Sequence, residues 1–121
     1  MLASAAFLAT VLAGCAYSQG AVDETPQPCN AAGQTITYSG TISPIFDANC
    51  RGCHSSKDAS TLGGSIDFST HQGISRFPSS TLLGSIRHSP GANPMPKLGS
   101  KLSDCDINRI KAWIDAGKPN N

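Results

Sequence analysis

Residues 50–54 read Cys-Arg-Gly-Cys-His, and this pentapeptide constrains the fold more than any other stretch of the chain. Cys50 and Cys53 are three residues apart, so on one helical turn their thiols point to the same side. Two such thiols can each add across one vinyl group of a haem, and a histidine directly after the second is then carried beneath the porphyrin. The motif therefore predicts covalent haem attachment at Cys50 and Cys53, with His54 as the proximal iron ligand.

Two other uses of paired cysteines are considered in the light of the surrounding residues. A CxxC pair can also be a redox dithiol or half of a zinc site. Zinc would want a second ligand pair, but Cys29 and Cys105 lie far apart and have no paired neighbour. A thioredoxin-like dithiol would need a βαβ surround, which the flanking sequence does not supply. Haem is favoured, with one ring nitrogen of His54 on iron and the other donating to a backbone carbonyl. Arg51 and Gly52 are interpreted as spacers.

The length and charge of the chain limit its other functions. Its 121 residues leave room for one domain, and a core built from fewer than about 90 residues is marginal without a buried cofactor or covalent staples. Nine Lys and Arg against eight Asp and Glu give a net charge of +1, which argues against a nucleic-acid partner. The carboxylates are scattered, and neither a phosphate-binding loop nor a nucleophile signature occurs, so no enzyme activity is predicted.

The N-terminal part of the chain predicts export and a lipid anchor. Residues 1–14 are uncharged and apolar, which is typical of the hydrophobic region of a signal peptide, although no Lys or Arg precedes it. A buried N-terminal helix is the alternative. Residues 12–15, Leu-Ala-Gly-Cys, resemble the lipobox of bacterial lipoproteins, which implies cleavage before Cys15 and lipidation of its sulfur. Residues 15–40 are then a lipidated flexible tether, and residues 41–121 are the domain.

Two of the five cysteines remain after these assignments, Cys29 and Cys105. In an exported chain two unassigned cysteines most simply pair, because the compartments beyond the inner membrane are oxidising. A disulfide between them is therefore expected. Two buried free thiols are the alternative.

Helix signals outside the motif predict an all-α fold with about three core helices. Ser43 and Pro44 are interpreted as the cap and first residue of a helix that leads into the haem cysteines. Residues 54–76 are predicted to be loop and short turns, and residues 78–80 to open a second helix. Ser103 is predicted to cap the last helix, and Gly117 to close it. The apolar faces of the second and last helices are formed by Leu82, Leu83, Ile86, Ile107, Ile110, Trp113 and Ile114.

Met95 is the preferred distal ligand of the iron. It lies between Pro94 and Pro96, and two prolines stiffen the backbone, so that a weak thioether can be presented with little entropy to lose. A gap-filling core methionine is the alternative role. His71 and His88 are the other candidate ligands, although their polar neighbours suit solvent-facing side chains better. An open distal position is the remaining possibility.

From about residue 42 to residue 117 the chain resembles a class I c-type cytochrome domain, in particular the small lipoprotein cytochromes of bacteria. The resemblance is carried by the attachment motif, by the preceding residues 44–46 (Pro-Ile-Phe), by Met95 in a Met-Pro loop and by the final helix. It implies a cytochrome c fold around one haem c with Met95 on iron, and one-electron transfer between redox partner proteins.

The setting expected from these features is an exported respiratory or extracytoplasmic electron-transfer chain. The protein would be a monomer, lipid-anchored to a bacterial membrane and facing the periplasm or the cell surface. Two alternatives remain at this point. A labile Met95 could admit a small ligand, as in a peroxidase or gas sensor, or the motif could be accidental in a lipid-anchored structural domain.

Overall fold

The computed structural model describes Cys29 and residues 35–121. This part of the chain is helical and contains no strand: a π-helical turn at Tyr38–Ile42 is followed by α1 (Ser43–Asn49), α2 (His71–Arg76), α3 (Ser79–Ile86) and α4 (Asp104–Asp115). The predicted all-α fold is confirmed. Among the described helices, none has the length and apolar character needed to cross a membrane. The predicted signal peptide and the lipidation site Cys15 lie outside the described residues.

The first helical segment begins earlier than the sequence predicts. Thr37 is the cap: its side chain accepts a hydrogen bond from the Gly40 N–H, and its carbonyl accepts from Thr41 and Ile42. The chain therefore enters α1 from a preceding helical turn, and α1 has no side-chain cap of its own. The predicted capping role of Ser43 is wrong, because the backbone N–H groups at this point already have upstream acceptors.

Helix α2 lies in the stretch that was predicted to be loop and turns. Thr70 caps it by accepting from the Gly73 N–H, and Ile74 on its inner face is fully buried. Gly73 is required here, because a Cβ at this position would lie 2.3 Å from the Asp67 carbonyl oxygen. With six residues and one buried apolar side chain, α2 is too short to show the periodicity that identifies a helix in sequence.

Helices α3 and α4 follow their predicted bounds closely. Ser103 caps α4, since its hydroxyl accepts from the Asp106 N–H at 3.0 Å and donates to the Asp106 carboxylate at 2.8 Å. At the other end, Gly117 adopts the left-handed conformation with φ +88°, as predicted for the residue that closes the helix. In α4 the cap and the apolar stripe lie within a single window of sequence. Helix α3 has no side-chain cap, and its apolar stripe is the signal that identifies it.

The core joins all four helices. Its buried members are Ile42, Ile45, Phe46, Phe68, Ile74, Leu82, Ile86, Leu102, Ile107, Ile110 and Trp113. Trp113 packs against Tyr38 and His71 and donates from its indole N–H to the Pro119 carbonyl. Ile36 and Tyr38 pack against the same core, so the packed part of the chain begins upstream of residue 41.

Candidate haem site

A cavity of about 590 Å³ lies between the attachment motif and the chain that follows α3. This volume is typical of a site for one organic cofactor. All four residues predicted to hold haem, namely Cys50, Cys53, His54 and Met95, line it. Its remaining walls are largely apolar and include Leu62, Ile66, Phe68, Phe77, Leu82, Ile86 and Leu102. The lining therefore combines two thiols, one imidazole and one thioether with apolar walls that suit a porphyrin. A second depression of about 310 Å³, beside α1 and α4, contains none of the four residues.

His54 is the only buried polar residue in the described part of the chain. Its Nδ1 lies 3.0 Å from the Ile66 carbonyl oxygen. Because a carbonyl only accepts, Nδ1 must carry the proton, and the Nε2 lone pair is left free to bind a metal. This arrangement is the one that the sequence predicts for a proximal ligand, and it fixes both the tautomer and the orientation of the ring.

The backbone after His54 closes tightly around the ring. Phe68 stacks obliquely on it with ring centroids 5.1 Å apart, and the Phe68 N–H donates to the His54 carbonyl at 2.7 Å. A Cβ on Gly63 would lie 2.6 Å from the Cys53 carbonyl oxygen and 2.9 Å from His54 Nδ1. Only glycine therefore allows the chain to pass this close to the histidine.

The two motif cysteines lie on a turn that continues from the end of α1. The N–H groups of Cys53 and His54 both donate to the Cys50 carbonyl, at 3.1 and 2.9 Å, so residues 50–54 form one helix-like turn. Cys50 is half-buried, and this burial raises the pKa of its thiol to about 11 against the opposing effect of Arg51. Cys53 is exposed. Before attachment, the inner thiol is therefore neutral at physiological pH.

Arg51 is a site residue that the sequence reasoning missed. Its guanidinium donates to the Phe68 carbonyl at 2.8 Å, the Asp47 carboxylate at 2.7 Å and the Tyr38 hydroxyl at 3.2 Å. It also donates to the Ser43 hydroxyl at 2.9 Å. The interpretation of Arg51 as a spacer is wrong, because it ties the attachment turn to three other parts of the fold. The Asp47–Arg51 spacing of four residues on a helix was the available signal.

Met95 is held by its backbone at the edge of the cavity. Its N–H donates to the Ser85 carbonyl at 3.1 Å, and its own carbonyl accepts from His88 Nε2 at 3.1 Å. Neither His71 nor His88 lines the cavity. His71 Nε2 is bound to the Lys118 carbonyl at 2.9 Å, beside Tyr38 and Trp113. Of the three candidate distal ligands, only Met95 therefore lies on the cavity wall.

Cys29 and Cys105 lie together, away from the cavity. Their thiols are in hydrogen-bonding contact, and this contact is the main cause of a raised pKa at Cys105. Arg109 Nε donates to the Cys29 carbonyl at 2.9 Å and holds the backbone of residue 29 against α4. Both residues are free thiols in the structure, so the disulfide stays a prediction.

The family model for cytochrome c oxidase, cbb3-type, subunit III, matches residues 41–114, which is more than half of the chain. The chain belongs to this family. Its domain is a c-type cytochrome domain, as the class I resemblance implied, and it binds covalently attached haem c with iron. No curated protein and no solved structure gives a significant match.

Membership of the cbb3-type subunit III family supports haem-based electron transfer as the general function of this domain. The residues present fit the cofactor. A protonated Nδ1 leaves Nε2 of His54 as a metal donor, two thiols lie on one turn, and the walls are apolar.

Proposed function

We propose that this cytochrome domain is a one-electron carrier in an exported electron-transfer chain, with His54 and Met95 as the axial ligands of haem attached through Cys50 and Cys53. One observation carries the proposal. The Nδ1–H of His54 is bound to the Ile66 carbonyl, which leaves Nε2 as the donor, and Met95 lies on the wall of the same cavity. With both axial positions filled, no position is left for oxygen or peroxide.

The residues of the chain contribute orientation, burial and charge. The bound haem supplies a one-electron couple at its iron. His54 is held in one tautomer, Met95 is held by its backbone, and apolar side chains limit the access of water. A thioether ligand and apolar walls both disfavour the additional positive charge of the oxidised iron, so we expect a high reduction potential for a cytochrome.

Replacement of Met95 by histidine tests the ligand pair. The exchange of a soft thioether for imidazole favours Fe(III), so the potential should fall by about one or two tenths of a volt, within an axial-ligand range of about 0.8 V. The weak far-red band expected of thioether ligation should disappear from the oxidised spectrum. A pyridine haemochrome spectrum and an intact mass confirm one haem and two thioethers beforehand. A Met95→His protein with the native potential and band would refute ligation by Met95.

The competing function, binding of a small ligand through a labile Met95, makes a different optical prediction. In an electron carrier, carbon monoxide should bind the reduced protein, and cyanide the oxidised protein, slowly and only at high concentration. Rapid binding at low concentration would instead favour a peroxidase or gas sensor. The third alternative, an accidental motif in a structural domain, is ruled out by membership of a family whose domain binds haem c.

The location proposed for this carrier is a bacterial membrane surface facing the periplasm or the cell exterior, where the lipidated Cys15 would hold it near redox partner proteins. The support is the lipobox-like residues 12–15 after an apolar stretch. Replacement of Cys15 by serine should move the haem-loaded protein from the membrane to the soluble fraction and remove the mass of the lipid. Cys29→Ser is the control, which should stay with the membrane. A Cys15→Ser protein that remains fully membrane-bound would refute the anchor.

A further inference from the structure

The chain between α3 and Met95 folds back onto the end of the helix that it has just left. The Ser89 N–H donates to the Gly84 carbonyl at 3.0 Å, and the N–H groups of His88 and Met95 both donate to the Ser85 carbonyl, at 3.2 and 3.1 Å. The carbonyl groups in the last turn of α3 therefore hold the backbone of residues 88–95, which ends at Met95, and this turn is the base to which Met95 is attached.

His88 supplies the second attachment of Met95 to this base. Its Nε2 lies 3.1 Å from the Met95 carbonyl oxygen, and since that oxygen only accepts, Nε2 carries the proton and donates. Both backbone polar groups of Met95 are thus bound, the N–H by Ser85 and the carbonyl by the imidazole of His88.

The backbone of His88 is in the left-handed conformation, with φ +54°. This conformation is uncommon for residues other than glycine, but asparagine, aspartate and histidine adopt it more readily than the rest. The turn carries the His88 side chain back towards Met95, seven residues further along the chain. Its half-buried ring is bound to backbone and does not line the cavity.

We propose that His88 is a positioning residue for the distal ligand, which fixes the Met95 carbonyl so that the thioether is presented to the cavity in one orientation. The inference rests on the proposed ligation by His54 and Met95. A thioether is a weak ligand, so its occupancy of the axial position depends on how little freedom it loses on binding. A neighbour that orients a metal ligand typically changes metal affinity or activity by about 10–100-fold when it is removed.

The test compares His88→Gly with His88→Gln in the full, haem-loaded chain. Glycine accepts the left-handed backbone at residue 88 and removes the donor, so a loss of function cannot be assigned to backbone strain. Glutamine restores an N–H donor at a similar distance from the backbone. His71→Leu is the control, because His71 also binds a backbone carbonyl through Nε2 but neither lines the cavity nor contacts Met95 through that bond.

The measurements are the far-red band of the oxidised protein, the affinity for cyanide and the free energy of unfolding. We expect His88→Gly to weaken the band and to raise the affinity for cyanide by about 10–100-fold, since cyanide displaces a less well-held Met95. His88→Gln should return both towards wild type. His71→Leu should lower the unfolding free energy without changing the band or the cyanide affinity.

The possible failures are distinguishable. If wild type shows the band and His88→Gly leaves the band and the cyanide affinity unchanged, the positioning role is wrong and the ligation stands. If His71→Leu changes both readouts as much as His88→Gly does, the effect is general destabilisation and the positioning role is wrong. If wild type has no far-red band and binds cyanide readily, the proposed ligation fails and the positioning role fails with it.

Discussion

Arg51 lies between the two cysteines of the CxxCH motif, at a position where the attachment chemistry imposes no side chain. In the fold, only 15% of its side chain is exposed. Its planar fork donates to acceptors in four residues, namely Phe68, Ser43, Asp47 and Tyr38. Lysine has a single ammonium group and cannot reproduce this geometry. Arg51 therefore connects the turn formed by residues 50–54 to the backbone that packs against His54.

Replacement of Arg51 by lysine should destabilise the haem-loaded domain. Hydrogen bonds to a charged group contribute about 1.5–3 kcal/mol each and are not additive, so we expect a loss of about 2–4 kcal/mol in the free energy of unfolding. Guanidinium chloride unfolding, followed by the Soret band, measures it. Arg76→Lys is the control at an exposed position and should change stability by less than about 0.5 kcal/mol. Equal stabilities for the two variants would contradict the structural role of Arg51.

At the scale of the element, α4 combines a cap, first-turn carboxylates and an apolar stripe within one stretch of sequence. Ser103 binds both the backbone and the side chain of Asp106, and Asp104 and Asp106 lie in the first turn, where the helix dipole favours negative charge. Ile107, Ile110 and Trp113 are buried on the inner face. Helix α2 has only one such signal, the Thr70 cap, and depends on tertiary contacts instead.

Replacement of Ser103 by alanine should cost about 1 kcal/mol of stability, because the Asp106 N–H loses its acceptor at the start of the helix. Denaturant unfolding of the holoprotein measures the change, and Ser103→Thr should recover most of it by keeping a hydroxyl acceptor. Ser80→Ala is the matched control, since Ser80 is an exposed helical residue. A Ser103→Ala protein as stable as wild type would show that the cap contributes nothing.

At the scale of the whole molecule, contacts between distant parts of the chain close the fold. The N–H groups of Tyr38 and Ser39 donate to the side chain and carbonyl of Asn121, both at 2.8 Å. Cys29 lies against Cys105 and is held by Arg109. These contacts join the beginning of the described chain to α4 and to the residues that follow it.

The contact between the two thiols supports the predicted disulfide and gives it a thermodynamic test. A bridge between Cys29 and Cys105 would close a loop of roughly 76 residues and stabilise the domain by about 4 kcal/mol in the loop-entropy model. The free energy of unfolding should then fall by the same amount in Cys29→Ser, in Cys105→Ser and in the double variant, since each of them breaks the one bridge. Thiol titration of unreduced, denatured protein from the periplasm should find neither thiol free. Two titratable thiols, or additive losses, would refute the bridge.

The sequence by itself determined the features that depend on neighbouring residues. The spacing of Cys50, Cys53 and His54 predicts covalent haem chemistry, because three adjacent functional groups suffice for it. The caps and stripe of α4 predict that helix for the same reason, and the all-α fold follows from such local signals. The position of Met95 between two prolines was enough to select it as a ligand candidate, although not to show what holds it.

Only the tertiary structure decided which distant groups meet. The acceptor of the His54 proton is Ile66, twelve residues away, and the requirement for Gly63 comes from its approach to Cys53 and His54. The network of Arg51 and the bond from His88 to Met95 likewise join groups on separate elements. Such contacts leave no periodicity in sequence, because they depend on how the helices pack and on where backbone carbonyls remain unpaired. Every chain has these carbonyls at every residue, and only the fold selects the ones that bind a side chain.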